Sequence, residues 1–257
     1  MSLGIIGCGS LGRSLLTGFR KRYENLRYTA SARSEASVNL LRSKYQVRAT
    51  TDNREVASSS QVLLCVKPLQ AKEACRSIQG HLNKRTVVVS TMAAVPLSKL
   101  QDWLQHRWIV KVMPTVLPEG PITVYNPYHC PLLLPTNDQI KVLDETELDL
   151  STAVSGCMPE LLAYLLEEWI ESAIEVGTDP KVAEQLILKN LQAVSRLDFK
   201  KKEDLIQLRR RVSSKGGATE RGVVSLERSG IRPTLTEMLW AADSRVVELI
   251  QQFQSDE

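Results

Sequence analysis

Residues 3–16 read Leu-Gly-Ile-Ile-Gly-Cys-Gly-Ser-Leu-Gly-Arg-Ser-Leu-Leu: a short apolar run, a glycine-rich turn and an amphipathic segment. The glycines follow the G-x-G-x-x-G spacing of a dinucleotide fingerprint. The first glycine allows a tight turn, the second allows close approach of a pyrophosphate, and the third allows the helix to pack on the strand. A helix N-terminus also attracts phosphate. The stretch therefore predicts dinucleotide contacts at Gly7, Gly9, Ser10, Leu11 and Gly12, the alternative being a glycine-rich turn that binds nothing.

The next predicted strand, residues 27–31, ends where folds of this kind choose between cofactors. NAD-specific proteins carry Asp or Glu there for the ribose hydroxyls, whereas a 2′-phosphate needs cations and hydroxyl donors. This chain offers Ser31, Arg33 and Ser34, and its first carboxylate is Glu35. The sequence therefore predicts NADP(H) in preference to NAD(H). The alternative is an exposed turn that carries an arginine by chance.

Strand and helix patterns alternate through residue 114, which is typical of a doubly wound parallel sheet with right-handed crossovers. The predicted strands are 47–49, 61–66, 86–90 and 108–114, and the predicted helices are 35–44, 52–58, 70–82 and 97–105. Residues just past the carboxyl ends of such strands border the cofactor crevice. We therefore expect Val66, Lys67 and Pro68 to line it, although Lys67 is equally compatible with a structural ion pair. The small residues Ala93 and Ala94 would let a ligand approach the backbone.

The second half of the chain changes character. Six prolines between residues 114 and 135 predict edge strands and turns up to about residue 149. Helical patterns follow at 159–177, 180–196, 203–212 and 234–253, with Asp179 as a cap. Several of these helices are too apolar for a single layer of neighbours, which indicates a subunit interface. We place a cofactor domain at 1–150 and a helical domain at 151–257.

Composition excludes several classes of protein. The chain has 257 residues, 43% of them apolar, and a net charge of +4, which is ordinary for a globular protein. We see no signal peptide and no apolar run that could span a membrane, and we expect a cytoplasmic protein. Basic residues are spread out, so nucleic acid is not indicated. The five cysteines and three histidines lack metal-ligand spacing, so we expect no metal.

Two further motifs complete the pattern. Residues 212–219 read Val-Ser-Ser-Lys-Gly-Gly-Ala-Thr, and residues 152–159 read Thr-Ala-Val-Ser-Gly-Cys-Met-Pro. Together with the N-terminal fingerprint, they make the whole chain resemble the pyrroline-5-carboxylate reductases. Matches at 31–34, 50–53, 66–68 and 112–114 extend the likeness, which implies cofactor contacts at Asn53, Met113 and Pro114.

This resemblance implies an N-terminal Rossmann domain and an all-helical C-terminal dimerisation domain that interlocks with a second copy. Larger rings of such dimers are common in the family. The implied reaction is the NAD(P)H-dependent reduction of a cyclic imine carboxylate to L-proline. Glycines and hydroxyl residues at a helix start present several amides to one anion. By resemblance, the substrate carboxylate is held by Ser214, Gly216, Gly217, Ala218 and Thr219. Thr219, the one catalytic candidate, would orient or relay a proton to the ring nitrogen. The alternative for this loop is a capped glycine turn.

Three positions depart from the family pattern. Thr115 stands where the family has Asn, Met158 where it has a small residue, and Lys215 where it has proline. These departures leave two other functions open. One is the reduction of a related imine or ketimine carboxylate. The other is a cofactor-binding dimer that acts as a regulatory or interaction protein and has little catalytic turnover.

Overall fold

The computed structural model describes residues 1–118 and 120–255. The chain divides into two compact units, one formed by Met1–Pro159 with Ala241–Glu257 and the other by Glu160–Trp240. The boundary at residue 150 between a cofactor domain and a helical domain is a division by function, and it stays a prediction.

The first unit contains an eight-stranded sheet with the order β3-β2-β1-β4-β5-β6-β7-β8. Its strands are β1 (Ser2–Ile6), β2 (Arg27–Ser31), β3 (Arg48–Thr50), β4 (Gln61–Leu64), β5 (Val87–Ser90), β6 (Ile109–Pro114), β7 (Ile122–Tyr125) and β8 (Gln139–Lys141). Neighbours are parallel except β6 and β7, which are antiparallel. The strand order reverses at β1, and in such sheets a ligand crevice opens where it does. The predicted α/β fold is confirmed, with one antiparallel pair added.

Both faces of this sheet are covered. Leu3, Ile5 and Leu63 belong to one buried cluster, whereas Ile6 and Leu64 belong to the other. The side chains of a strand alternate between its two faces, so β1 and β4 are apolar on both. The apolar runs therefore predicted central parallel strands correctly.

Six helices lie wholly within this unit, and the second half of the last helix, Ile231–Ser255, also belongs to it. They are α1 (Ser10–Arg22), α2 (Glu35–Tyr45), α3 (Asn53–Ala57), α4 (Ala71–Ile78), α5 (Leu97–Leu104) and α6 (Glu145–Ser151). The helix predicted at 70–82 is too long, because the chain takes a left-handed turn at Gly80, with φ +77°, soon after α4 ends. The short helix α6 was not predicted. It continues into a single π-helical turn, Thr152–Gly156.

The remaining helices are α7 (Met158–Glu175), α8 (Pro180–Ser195), α9 (Lys202–Val212), α10 (Ala218–Arg228) and α11 (Ile231–Ser255). Asp179 caps α8 as predicted, because its carboxylate accepts from the amides of Lys181 and Val182. No side chain on α7 is buried, and Trp169 is 66% exposed. Among the residues that the structure describes, no helix has the length and apolar character needed to cross a membrane.

A buried lysine fixes α6 to the sheet. Lys111 lies on β6 with its side chain 1% exposed, and its Nζ is 2.5 Å from Glu145 Oε1 and 3.2 Å from Asp149 Oδ1. Glu145 Oε1 also accepts from the Leu97 amide at 2.7 Å, at the start of α5. Burial raises the pKa of the Asp149 carboxyl, and the Lys111 charge opposes that shift. The Lys111 ammonium thus favours the ionised form of Asp149, which burial disfavours.

We expect Lys111→Met to lower the free energy of unfolding by about 3 kcal/mol at pH 7, because it leaves the largely buried Asp149 carboxylate without its cation. The loss should shrink toward pH 4.5. The folded-state pKa of Asp149 is already raised, and removal of the cation raises it further, so protonation on acidification relieves the unpaired charge. Chemical denaturation at both pH values, with exposed Lys141→Met as control, measures this. An equal loss at both pH values would contradict the prediction.

Candidate cofactor cleft and substrate loop

A cleft of about 500 Å³ lies beyond the carboxyl ends of β1, β2 and β4. Seven of the predicted cofactor residues line it: Gly7, Gly9, Ser31, Arg33, Asn53, Val66 and Lys67. It opens where the strand order reverses, which is the position that this sheet topology favours for a ligand.

The geometry of the glycines matches the three roles of the fingerprint. Gly7 has φ +79°, and a Cβ there would lie 2.5 Å from Val66 Cγ1. At Gly9 a Cβ would meet no atom closer than 4.0 Å, so this position is open to a ligand. At Gly12 a Cβ would lie 3.2 Å from the Gly7 carbonyl oxygen, where helix and turn approach closely. The turn is therefore a bare-backbone cradle suited to a pyrophosphate.

The N-terminus of α1 supplies amides to this cradle. The first intrahelical bond runs from the Arg13 amide to the Gly9 carbonyl, at 2.9 Å. The amides of the first turn, those of Ser10, Leu11 and Gly12, precede it and have no helical acceptor. These are the three fingerprint residues that the cavity lining omits, and they would act through the backbone.

The other predicted contacts lie elsewhere in the first unit. Ser34 caps α2, and its Oγ accepts from the Ser37 amide at 3.3 Å. Pro68 starts a 3₁₀ turn after β4. Ala93 and Ala94 follow β5, and Met113 and Pro114 end β6. None of these side chains lines the described cleft. Their cofactor roles stay predictions.

The lining also includes nine residues that sequence reasoning missed: Cys8, Ala32, Ser37, Thr51, Cys65, Gln70, Glu73, Ala74 and Ser77. A helical signal could have found four of them, because Gln70, Glu73, Ala74 and Ser77 are spaced to share one face of the helix that follows β4. Burial raises the pKa of the Cys8 and Cys65 thiols to about 12, so both remain neutral.

Polar groups at the β2 end of the cleft are joined by hydrogen bonds. Ser31 Oγ donates to Asn53 Oδ1 at 2.6 Å, and Asn53 Nδ2 donates to Ser77 Oγ at 3.0 Å. Ser34 Oγ donates to Ser37 Oγ at 3.1 Å. The charged residues of the lining are Arg33, Lys67 and Glu73. The exposed backbone of the glycine turn and the unpaired amides at the start of α1 fit the phosphate groups of a dinucleotide. The lining also carries two cations and one carboxylate, which favours an anionic ligand.

Two buried hydroxyls lie in the π-helical turn. Thr152 Oγ1 and Ser155 Oγ have no hydrogen-bond partner among the described residues. Next to them, a Cβ on Gly156 would lie 3.3 Å from Met113 Sδ, at the carboxyl end of β6. π-turns are frequent at functional sites. This turn carries the 152–159 motif and faces the strand end where Met113 and Pro114 were predicted.

The second unit holds the predicted substrate loop. The Gly217 amide donates to the Ser214 carbonyl at 3.0 Å, and Gly216 has φ +75°. A Cβ on Gly217 would lie 2.4 Å from Ser214 Oγ, so the turn requires glycine there. The Gly216 amide donates to Glu220 Oε2 at 2.5 Å. Ala218 and Thr219 open α10 and are exposed. In this structure, the loop thus binds a carboxylate of its own chain, that of Glu220.

In the part of the chain that the structure describes, no three His, Cys, Asp or Glu side chains are placed to hold a metal ion.

Comparison with known proteins agrees with this geometry. Residues 145–249 match the model of pyrroline-5-carboxylate reductase dimerisation, and residues 2–94 match that of the coenzyme F420-dependent NADP oxidoreductases. The pyrroline-5-carboxylate reductase of Synechocystis sp. is 29% identical over 267 residues, covering 97% of this chain and 98% of its own. The Pseudomonas aeruginosa enzyme is 27% identical over 265 residues, with 97% of each chain covered. The chain is therefore similar to the pyrroline-5-carboxylate reductases over nearly its whole length.

A solved pyrroline-5-carboxylate reductase from Coxiella burnetii has a TM-score of 0.85 and 25% identity, with 96% of this chain and 97% of that one covered. The two matched segments of the chain contain different candidate sites. Residues 2–94 contain every residue that lines the cleft, and residues 145–249 contain the π-helical turn and the substrate loop.

Gly9 and Gly7 allow a matched test of the cradle. We expect Gly9→Ala to leave the melting temperature within about 2 °C, because its methyl group meets no protein atom, while dinucleotide affinity falls at least about tenfold. Gly7→Ala should lower both stability and affinity, because it adds a clash to a left-handed backbone. Thermal denaturation and dinucleotide titration separate the two effects. Unchanged affinity in Gly9→Ala would exclude this turn as the phosphate site.

Proposed function

We propose that this protein is an NAD(P)H-dependent oxidoreductase that reduces 1-pyrroline-5-carboxylate to L-proline, the last step of proline biosynthesis. The observation that carries the proposal is the amide turn at Gly216–Gly217, which holds a carboxylate at the start of α10 in a chain that also has a dinucleotide cleft. The Synechocystis and Pseudomonas relatives, which match nearly the whole chain, carry this activity in their names, which favours it over the two alternatives that the sequence leaves open.

The reaction joins one hydride and one proton to a C=N bond. When bound, the nicotinamide cofactor supplies the hydride that adds to the imine carbon. The ring nitrogen ends as an amine. An imine that binds already protonated needs no strong acid from the protein, so holding the reactants together carries most of the catalysis. Such positioning contributes up to about 7–11 kcal/mol in favourable cases.

This chain's residues provide that positioning. Backbone amides in the first turn of α10 and in the preceding glycine turn hold the substrate carboxylate. In the free protein, Glu220 occupies the Gly216 amide, and the substrate carboxylate takes its place. The Lys215 ammonium, absent from the family pattern, adds positive charge beside it. The Thr219 hydroxyl orients the ring nitrogen or relays its proton.

We propose NADP(H) as the preferred cofactor. The supporting observations are Ser31 in place of a carboxylate at the end of β2, and Arg33, an exposed cation that lines the cleft. A Plasmodium falciparum pyrroline carboxylate reductase was solved with NADP bound. It shares the fold at a TM-score of 0.80 and 20% identity, with 97% of this chain and 98% of that one covered.

We further propose that the active form is a homodimer. The apolar side chains that the second unit leaves exposed, such as Trp169 and Leu186, are what a second copy would cover. The same proposal extends to a larger ring assembled from such dimers.

The first experiment measures NADPH oxidation by the purified protein with 1-pyrroline-5-carboxylate and identifies the product. We expect saturable oxidation with proline formed in equal amount. Thr219→Ala should lower kcat by about 10²-fold with NADPH affinity unchanged, and Thr219→Ser should retain most of the activity. Tight NADPH binding without oxidation of this imine would overturn the proposed substrate. A panel of cyclic imines would then separate another reductase from a regulatory protein.

Arg33 tests the cofactor preference. We expect Arg33→Ala to raise the Kd for NADPH about tenfold, because one charge-assisted bond to the 2′-phosphate is lost. The Kd for NADH should change less than about twofold, since NADH lacks that group. Arg33→Lys, which keeps the charge but not the planar fork, should fall between the two. Equal losses for both cofactors would disprove the phosphate contact.

A further inference from the structure

The serine on the cleft-facing side of α4 has a forced hydrogen-bond direction. Ser77 Oγ donates to the Ala74 carbonyl oxygen at 2.7 Å. A serine hydroxyl has one hydrogen, so Ser77 can only accept from its other neighbour, the Asn53 side chain at 3.0 Å. The Asn53 amide therefore has its nitrogen toward Ser77 and its oxygen toward Ser31, whose hydroxyl donates to it at 2.6 Å.

This direction decides what the cleft offers a ligand. The oxygen of the Asn53 amide, its one acceptor atom, faces Ser31, whereas its nitrogen carries a second hydrogen. Ser31 has given its hydrogen to Asn53 and presents lone pairs. Ser37 takes a hydrogen bond from Ser34 and lines the cleft with its own hydroxyl hydrogen. The donors at this end thus include Arg33, Ser37 and Asn53.

We propose that Ser77 is a positioning residue for cofactor selectivity, because it keeps an N–H and not a carbonyl oxygen of Asn53 available to a 2′-phosphate. The idea deepens the cofactor part of the proposed function and rests on it. A phosphate only accepts hydrogen bonds, so a carbonyl turned toward it repels it. A ribose hydroxyl both donates and accepts, and it tolerates either amide orientation. The orientation that Ser77 sets therefore matters to the phosphorylated cofactor alone.

Ser77→Ala removes the acceptor that holds the amide nitrogen. The amide can then turn over, with its nitrogen toward Ser31 and its oxygen toward the cleft. The side chain of Ser77 is exposed and lies at no packed position, so the fold should persist. Ser77→Thr keeps the hydroxyl and should keep the direction. Ser43→Ala is the matched control, because Ser43 makes the same kind of bond to the carbonyl three residues back, on α2 outside the cleft.

The test measures the Kd values of NADP⁺ and NAD⁺ by titration, without any imine. We expect Ser77→Ala to raise the Kd of NADP⁺ about five- to tenfold and that of NAD⁺ less than about twofold. Ser77→Thr and Ser43→Ala should stay within about twofold of the parent for both. In an Asn53→Ala background, Ser77→Ala should change nothing further, because it acts through Asn53.

Equal changes for the two cofactors, an unchanged Kd for NADP⁺, or a full additional loss in the Asn53→Ala background would each overturn the proposal. Melting temperatures of all variants show whether a loss reflects unfolding, and a Ser77→Ala variant that melts early while Ser77→Thr does not rescue binding also counts against it. Because imine is absent, failure here with tight NADP⁺ binding leaves the proposed reaction standing. A parent that binds NAD⁺ as tightly as NADP⁺ overturns both this inference and the cofactor preference.

Discussion

The close approach of the Gly7 turn to the chain after β4 is the constraint on which the site depends. The Cys8 amide donates to the Ser31 carbonyl and the Cys65 amide to the Ile6 carbonyl, each at 2.8 Å. These bonds continue the parallel ladder past the strand ends and tie the turn to both neighbouring strands. There is no room for a Cβ at Gly7, so only glycine allows this approach, and the amides at the start of α1 follow directly on the turn. The fold thereby prepares an anion site before any ligand arrives.

A buried charge organises the part of the sheet around β6. β6 is buried along its whole length, yet it carries Lys111, which binds two residues of α6 and through Glu145 the start of α5. A buried ion pair adds little net stability over an apolar pair, but it tolerates only one arrangement. That arrangement fixes where α6 ends and the π-helical turn begins. The unpaired hydroxyls of the turn therefore follow directly on this polar anchor, beside the end of β6.

The features that the sequence predicts well are those set by neighbouring residues. The fingerprint turn, the doubly apolar strands and the Asp179 cap each depend on a few consecutive side chains, and each is found where expected. The proline-rich segment correctly indicated strands and turns, but of β7 and β8 only β8 lies at the sheet edge, and the antiparallel direction of β7 depends on tertiary pairing. Lys111 joins residues 34 and 38 positions away, and no local pattern announces such a contact. Likewise, Ser77 enters the cleft only because α4 turns that face toward Asn53, 24 positions earlier.

The two candidate sites share one chemical logic. Each places a glycine turn before a helix, and each leaves first-turn amides without helical acceptors. They differ in whether a group of the protein already occupies the binding position at the turn. In the cofactor cleft, Gly9 faces open space, whereas in the substrate loop the Glu220 carboxylate occupies the Gly216 amide. An incoming carboxylate must therefore displace an internal one of the same charge and shape. Such an exchange costs little when the newcomer gains further contacts, and a ligand without a carboxylate gains nothing from it. If the loop binds the substrate as proposed, it would thus select its ligand through the kind of group that it already binds.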